Sequence, residues 1–174
     1  MMWVDIIVAL ILLFSLIGGI KDGAVKSFFS LIALLIAIPL AGMFYHLLAD
    51  FLSFIPGENW GNFLSFFIIL AVISIILHFI FLLPRKVAGK AWNKGFLFRL
   101  IGAIFNILNA SIGMVVFTLA LHAYPIFGWL EEAVSGSSVL IWLVVHLSFV
   151  QAVLPEVFRQ AATMVGLISN FFPY

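Results

Sequence analysis

A chain of 174 residues that is 66% apolar and only 9% charged, with a mean hydropathy of +1.31, carries more apolar surface than a water-soluble domain of that size can bury. Lipid is therefore its solvent, and the length allows four or five spans of about 20 residues each. A net charge of +1 gives no footprint for nucleic acid, and the absence of cysteine excludes disulfides, thiolate nucleophiles and cysteine-ligated metals.

Trp3 to Ile20 reads as a first, uncleaved span, since neither a basic n-region nor a small-residue cleavage site precedes it. At about 1.5 Å per residue it reaches roughly 27 Å, just enough for the hydrocarbon core. Asp5 falls at one membrane boundary with Trp3 as an interfacial anchor. The link Lys21 to Lys26 is short and mildly basic, so the flanking spans are expected to form an antiparallel hairpin. Gly18, Gly19 and Gly23 lie at or near it; Gly19 and Gly23 have GxxxG spacing, read here as turn geometry rather than a dimer face.

The second span runs from about Ala24 to Leu48, with Ser27, Ser30, Ala37 and Ala41 as small residues that let a neighbour approach. Pro39 is expected to bend it, either as architecture or to open a cavity. The next link, Asp50 to Gly61, holds Asp50 and Glu58 and no basic residue. The third span, Asn62 to Leu83, has Ser65, Ser74 and His78 as its interior polar residues and is expected to end at Pro84.

From Pro84 to Arg99 the chain carries Arg85, Lys86, Lys90, Lys94 and Arg99, five of its eight basic residues, and no acid. A basic link between two spans marks the cytoplasmic side, because lysine and arginine resist translocation. The N-terminus is then outside, as is the acidic Asp50 to Gly61 link. Lys86, Lys90 and Lys94 fall at i, i+4, i+8, along one helix face. Either they reach anionic lipid headgroups from a short interfacial helix, with Trp92 dipping toward the acyl chains, or they act only as topology determinants in a solvated loop.

The fourth span, Phe98 to about Ala123, places Gly102, Asn106, Asn109 and Gly113 at i, i+4, i+7, i+11, on one side, with Ala103 and Ala110 adjacent. An asparagine amide facing hydrocarbon would cost several kcal/mol, so this face must look into protein or water. The asparagines either bond to another helix, at about 1 kcal/mol each, or line a polar path. Packing is favoured, because no charged residue joins them in the membrane interior.

These residues carry a resemblance. Asp5 ahead of the first span, Gly18 near its end, the Lys21-x-Gly23-x-x-Lys26-x-x-x-Ser30 link, and Arg99-x-x-Gly102-Ala103-x-x-Asn106 opening a small-residue span are similar to the colicin V production protein (CvpA-like) family. The similarity covers roughly residues 3 to 123 and, more loosely, the tail. It implies a small multipass protein of the bacterial inner membrane, linked to colicin V production or export and to envelope homeostasis, with no catalytic residues to carry over. Asn106 and Asn109 depart from the family, which often has glycine and a basic residue there.

In the tail, Glu131 and Glu132 follow Pro125 and precede Ser135-Gly136-Ser137-Ser138, an acidic, turn-rich link of the outer side. Val139 to Leu154 is apolar for sixteen residues, marginal for a span, and is expected either to cross as a fifth helix or to lie at the interface; the resemblance leans toward the interface. The expected architecture is thus all-α and polytopic: a four-span core over residues 1–123 in two antiparallel hairpins, and an outer-side segment over 124–174.

No HExxH, Walker loop, G-x-S-x-G or intramembrane aspartate pair is present, so no enzyme activity is expected. His46, Asp50 and His122 approach one face and could hold a metal, but scattered histidines at helix ends ordinarily serve as interfacial or hydrogen-bonded groups, and no metal or cofactor is expected. Two functions stand: an accessory or scaffold protein acting through helix contacts, as a homo-oligomer or with other inner-membrane proteins, or a small oligomeric channel or transporter with a path lined by Asn106 and Asn109.

Overall fold

The computed structural model describes residues 2–52, 58–91, 95–156 and 158–163. Among them the chain is helical and has no strand: α1 (Met2–Phe51), α2 (Glu58–Ile80), α3 (Leu82–Ala91), α4 (Phe96–Ala123), α5 (Gly128–Ser135), α6 (Ser138–His146) and α7 (Ser148–Val153). Among the described residues three helices are long and apolar enough to cross a membrane, or up to four if the bent pair α5 and α6 counts as one span. Phe14, Ile75 and Phe79 are more than half exposed on these helices, a surface that water would reject and acyl chains accept.

A straight helix as long as α1 would measure about 75 Å, more than twice the hydrocarbon thickness. It is not straight, because Gly23 sits at φ 77° and ψ 170°, outside the helical region. No other described residue has positive φ, and glycine reaches this region without a Cβ clash. The backbone keeps helical angles through Pro39, so the break in α1 lies at the glycine and not at the proline.

Both arms of α1 lie along α4. Gly19 and Ala24, on either side of the break, meet Gly102 near the start of α4. Farther along, Phe28 meets Phe105, with ring centroids 5.4 Å apart. Tyr45, near the end of α1, shares a 2.8 Å hydrogen bond with Tyr124, which caps α4. Asp5, near the start of α1, bonds to Ser137, beyond α4.

Three element boundaries differ from the sequence expectation. The third apolar helix breaks at Phe81, before Pro84. The helical bonding nevertheless bridges the break, with Phe81 N donating to Leu77 O and Arg85 N to Phe81 O. Pro84 lies in the first turn of α3, the part of a helix where a missing N–H is best tolerated. The expected turn-rich link before the tail contains helix α5, with Glu131 in its first turn, ending at Gly136. The apolar run after it forms two short helices, α6 and α7, broken at Leu147, and α5 meets α6 at 73°.

The largest fully buried side chains gather at the end of α4 that holds Tyr124. Tyr45, Phe66 and Phe158 are each at most 1% exposed there, and the Phe66 and Phe158 rings meet edge-on at 4.8 Å. This aromatic plug ties α1, α2, α4 and the segment after α7 together, leaving the opposite end of the bundle to the glycine contact and the polar groups described next.

Candidate functional site: a glycine seam and a polar cavity

The glycine contact is set by what the residues lack. A Cβ placed on Gly19 would come within 2.5 Å of Gly102 O and 2.6 Å of Ala103 Cα. A Cβ on Gly102 would meet Gly23 C at 2.5 Å and Gly19 O at 2.6 Å. Backbone therefore packs directly on backbone, as small-residue interfaces in lipid permit. Asn106, one turn farther on, sends its Nδ2 to Ser15 O at 2.8 Å, and Gly18 leaves the room for that amide. The bond satisfies a side-chain donor that hydrocarbon would leave bare.

The four residues of the expected polar face separate in three dimensions. Gly102 and Asn106 form the seam with α1. Gly113 has open space around the position of a Cβ and makes no close approach. Asn109 turns to a different set of neighbours, a partly open cavity of about 280 Å³ lined by Ser30, Ala33 and Leu34 of α1, Ser74, Ile75 and His78 of α2, Arg85 of α3, and Asn109 itself.

Polar side chains dominate the chemistry of this cavity. Arg85 Nη1 lies 3.1 Å from His78 Nδ1, and since a guanidinium can only donate, Nδ1 accepts and the ring proton sits on Nε2. Arg85 Nε and Nη2 are buried without a hydrogen-bond partner among the described residues, as is Asn109 Oδ1. Burial lowers the Arg85 pKa from its ordinary value, and the charge of Asp22 opposes that shift. The group still remains cationic at any physiological pH. Asp22 is itself ion-paired with Lys26 at 2.7 Å, and among the described residues no carboxylate lines the cavity.

Of the described side chains of the basic stretch, only Arg85 turns inward. Lys86 and Arg99 are exposed; Lys90 lies on α3, its side chain outside the described residues, as are Trp92 and Lys94. Lys21 is exposed, Lys26 pairs with Asp22, and Ser30 reaches the cavity. His78 and Ser74 are site residues that the sequence pattern alone does not single out. The signal for them is the spacing Ser74, His78, Arg85 at i, i+4, i+11, which keeps one helix face provided the helix runs on past Pro84.

Asp5 has a separate task. Its Oδ1 accepts from Ser137 Oγ at 2.6 Å and from Val139 N at 3.2 Å, while Ser137 Oγ accepts from Leu140 N at 3.3 Å. The carboxylate and the serine together cap α6, whose N-terminal amides favour an anion.

His46, Asp50 and His122 do not gather into a metal-holding group; among the described residues no cluster of three such ligands occurs. His122 donates from Nδ1 to Thr118 O and accepts at Nε2 from Ser135 Oγ, both at 2.8 Å, which occupies the ring on both sides.

Against known proteins, the family model described as colicin V production protein matches residues 4–148. The curated protein "Uncharacterized transmembrane protein YshB" of Bacillus subtilis (strain 168) is 22% identical over 174 aligned positions, covering 90% of this chain and 97% of that protein. No solved structure matches the chain.

Proposed function

We propose that this chain, which belongs to the colicin V production protein family, is an accessory membrane protein that acts through its packed helices and their partner contacts. Its setting is the bacterial inner membrane, and its cellular role is in colicin V production or export and envelope homeostasis. The first arm of α1, the second arm, α2 and α4 make four crossings in two antiparallel hairpins, with the N-terminus outside and the Pro84 to Arg99 link cytoplasmic. The α5 to α7 segment lies against the outer end of the bundle. Support for the reversal at Gly23 comes from Asp5 and Tyr45, which lie on opposite arms of α1 yet both contact the chain just beyond α4.

The observation that carries the accessory reading is the seam itself. Gly19, Gly23 and Gly102 bring backbones together and Asn106 is consumed by Ser15 O, so the two asparagines do not share an open path. A channel lined by Asn106 and Asn109 remains the second reading, motivated by the unpartnered Asn109 Oδ1.

Replacing each asparagine by leucine separates the two. On the accessory reading, Asn106→Leu removes one interhelical bond and inserts bulk opposite Gly18. It is expected to lower stability by about 1–2 kcal/mol, seen as a fall in Tm of the purified protein in detergent. Asn109→Leu is expected to leave Tm nearly unchanged. Loss of ion or solute flux in proteoliposomes from both variants, with Tm intact, would instead support the channel.

A further inference from the structure

We propose that the cavity between α1, α2, α3 and α4 is a binding site for a phosphate-type oxyanion, carried by an anionic phospholipid headgroup or free in solution, with Arg85 as its principal ligand. The site goes beyond the surface role of the lysine-rich link, because Arg85 faces into the bundle while Lys86 next to it is exposed.

The cavity holds an unbalanced positive charge. A guanidinium offers five N–H donors in a fixed fork. In the structure one nitrogen, Nη1, is used on a neutral histidine nitrogen, and Nε and Nη2 are buried with nothing among the described residues to receive their protons. Arg85 as a whole is half-buried, but two of its three guanidinium nitrogens are shielded from water with no counter-charge beside them, and a desolvated arginine edge is ordinarily paired. The carboxylate that acts on Arg85 at a distance is Asp22, already engaged with Lys26, and the described cavity wall contributes none. An anion entering the cavity would supply that counter-charge.

The remaining wall groups fit a tetrahedral oxyanion. Ser30 and Ser74 bring hydroxyl donors, and His78, accepting at Nδ1, keeps an N–H at Nε2. Asn109 Oδ1 is buried without a donor among the described residues, and a half-turn of the amide exchanges that oxygen for an NH2 group at no steric cost. The free Nε and Nη2 lie on one edge of the fork, the geometry that receives two oxygens of a phosphate or carboxylate side by side. Ala33, Leu34 and Ile75 supply the apolar part of the wall, suited to the glycerol and upper acyl carbons of a lipid. A volume of about 280 Å³ admits a phosphate with its immediate substituent but not a large solute.

The test uses the full chain purified in a zwitterionic-lipid-free micelle. Dioleoylphosphatidylglycerol and inorganic phosphate serve as separate probes, read by native mass spectrometry and by the shift in Tm. Wild-type protein is expected to bind at least one probe. Arg85→Gln should weaken that binding at least tenfold, Arg85→Lys less so, and Asn109→Leu measurably, while Lys86→Gln leaves it unchanged. Lipid binding that excess phosphate does not displace assigns the site to a headgroup; displacement by phosphate assigns it to a free oxyanion. Equal binding by Arg85→Gln and wild type, or a wild type that binds neither probe, would overturn the proposal. Asn109→Leu serves as the second variant should Arg85→Gln not stay monodisperse.

Discussion

Gly102→Val is expected to prevent the bundle from assembling. Its new Cβ would lie 2.5 Å from Gly23 C, 2.6 Å from Gly19 O and 2.8 Å from Ala24 N, all of them backbone atoms that no rotamer change can move aside. Overpacking a core with flexible neighbours costs about 1–3 kcal/mol, and a backbone-on-backbone clash belongs above that range. Gly19→Val should act the same way from the other side of the contact. The pair should not be additive, since either change alone separates the same two helices. Gly113→Ala is the matched control: the same helix, open space around the added methyl, and an expected gain of up to about 1 kcal/mol from helix propensity. Thermal unfolding in detergent and the yield of monodisperse protein give the comparison. A Gly102→Val protein as stable as the control would mean that the seam is not a contact in the folded molecule.

Asp5→Ala is expected to have the next largest effect, loosening the segment after α4 without unfolding the bundle. The carboxylate receives a short bond from Ser137 Oγ and a longer one from Val139 N. Charge-assisted bonds of this kind contribute about 1.5–3 kcal/mol, and their loss also leaves the start of α6 capped by Ser137 alone. Asp5→Asn keeps an acceptor and should lose roughly half as much by the same reasoning. Limited proteolysis between α5 and α6 reads the effect. Faster cleavage in Asp5→Ala than in Asp5→Asn, and slowest in wild type, is the expected order. Identical cleavage in all three would remove Asp5 from any role in holding that segment.

The apolar runs are legible in the residues alone, because a chain this poor in charge has few ways to satisfy its backbone except as helices in lipid. The boundaries of α4 are legible too, since the basic residues before it and the tyrosine and proline after it punctuate the run. The break at Gly23 shows as a glycine in a short basic link. The end of α2 is misplaced by sequence reasoning because a proline in the first turn of a helix and a proline that terminates one look alike. Helix α5 escapes it because Glu131 and Glu132 beside a serine-glycine cluster read as a solvated link, whereas the same acids favour the first turns of a helix.

The polar groups are legible as residue types but not as partners. Asn106 and Asn109 share a helix face, and only the third dimension shows that one is spent on Ser15 O while the other meets Ser30, Ser74, His78 and Arg85. Ser137 before an apolar run is a recognisable N-cap, yet the carboxylate that completes the cap stands far earlier in the chain, at Asp5. Such long-range pairs follow from how helices are threaded together, which residue spacing along one helix does not encode.

Sidedness is the claim from which the proposed topology and function descend, and a chain without native thiols makes its test clean. Single cysteines at Gly95, within the basic link, and at Gly128, at the start of α5, would be exposed in intact cells to a membrane-impermeant maleimide. Gly128→Cys is expected to label in intact cells and Gly95→Cys only after permeabilisation; labelling of Gly95→Cys in intact cells with protection of Gly128→Cys would invert the protein in its membrane and contradict the account.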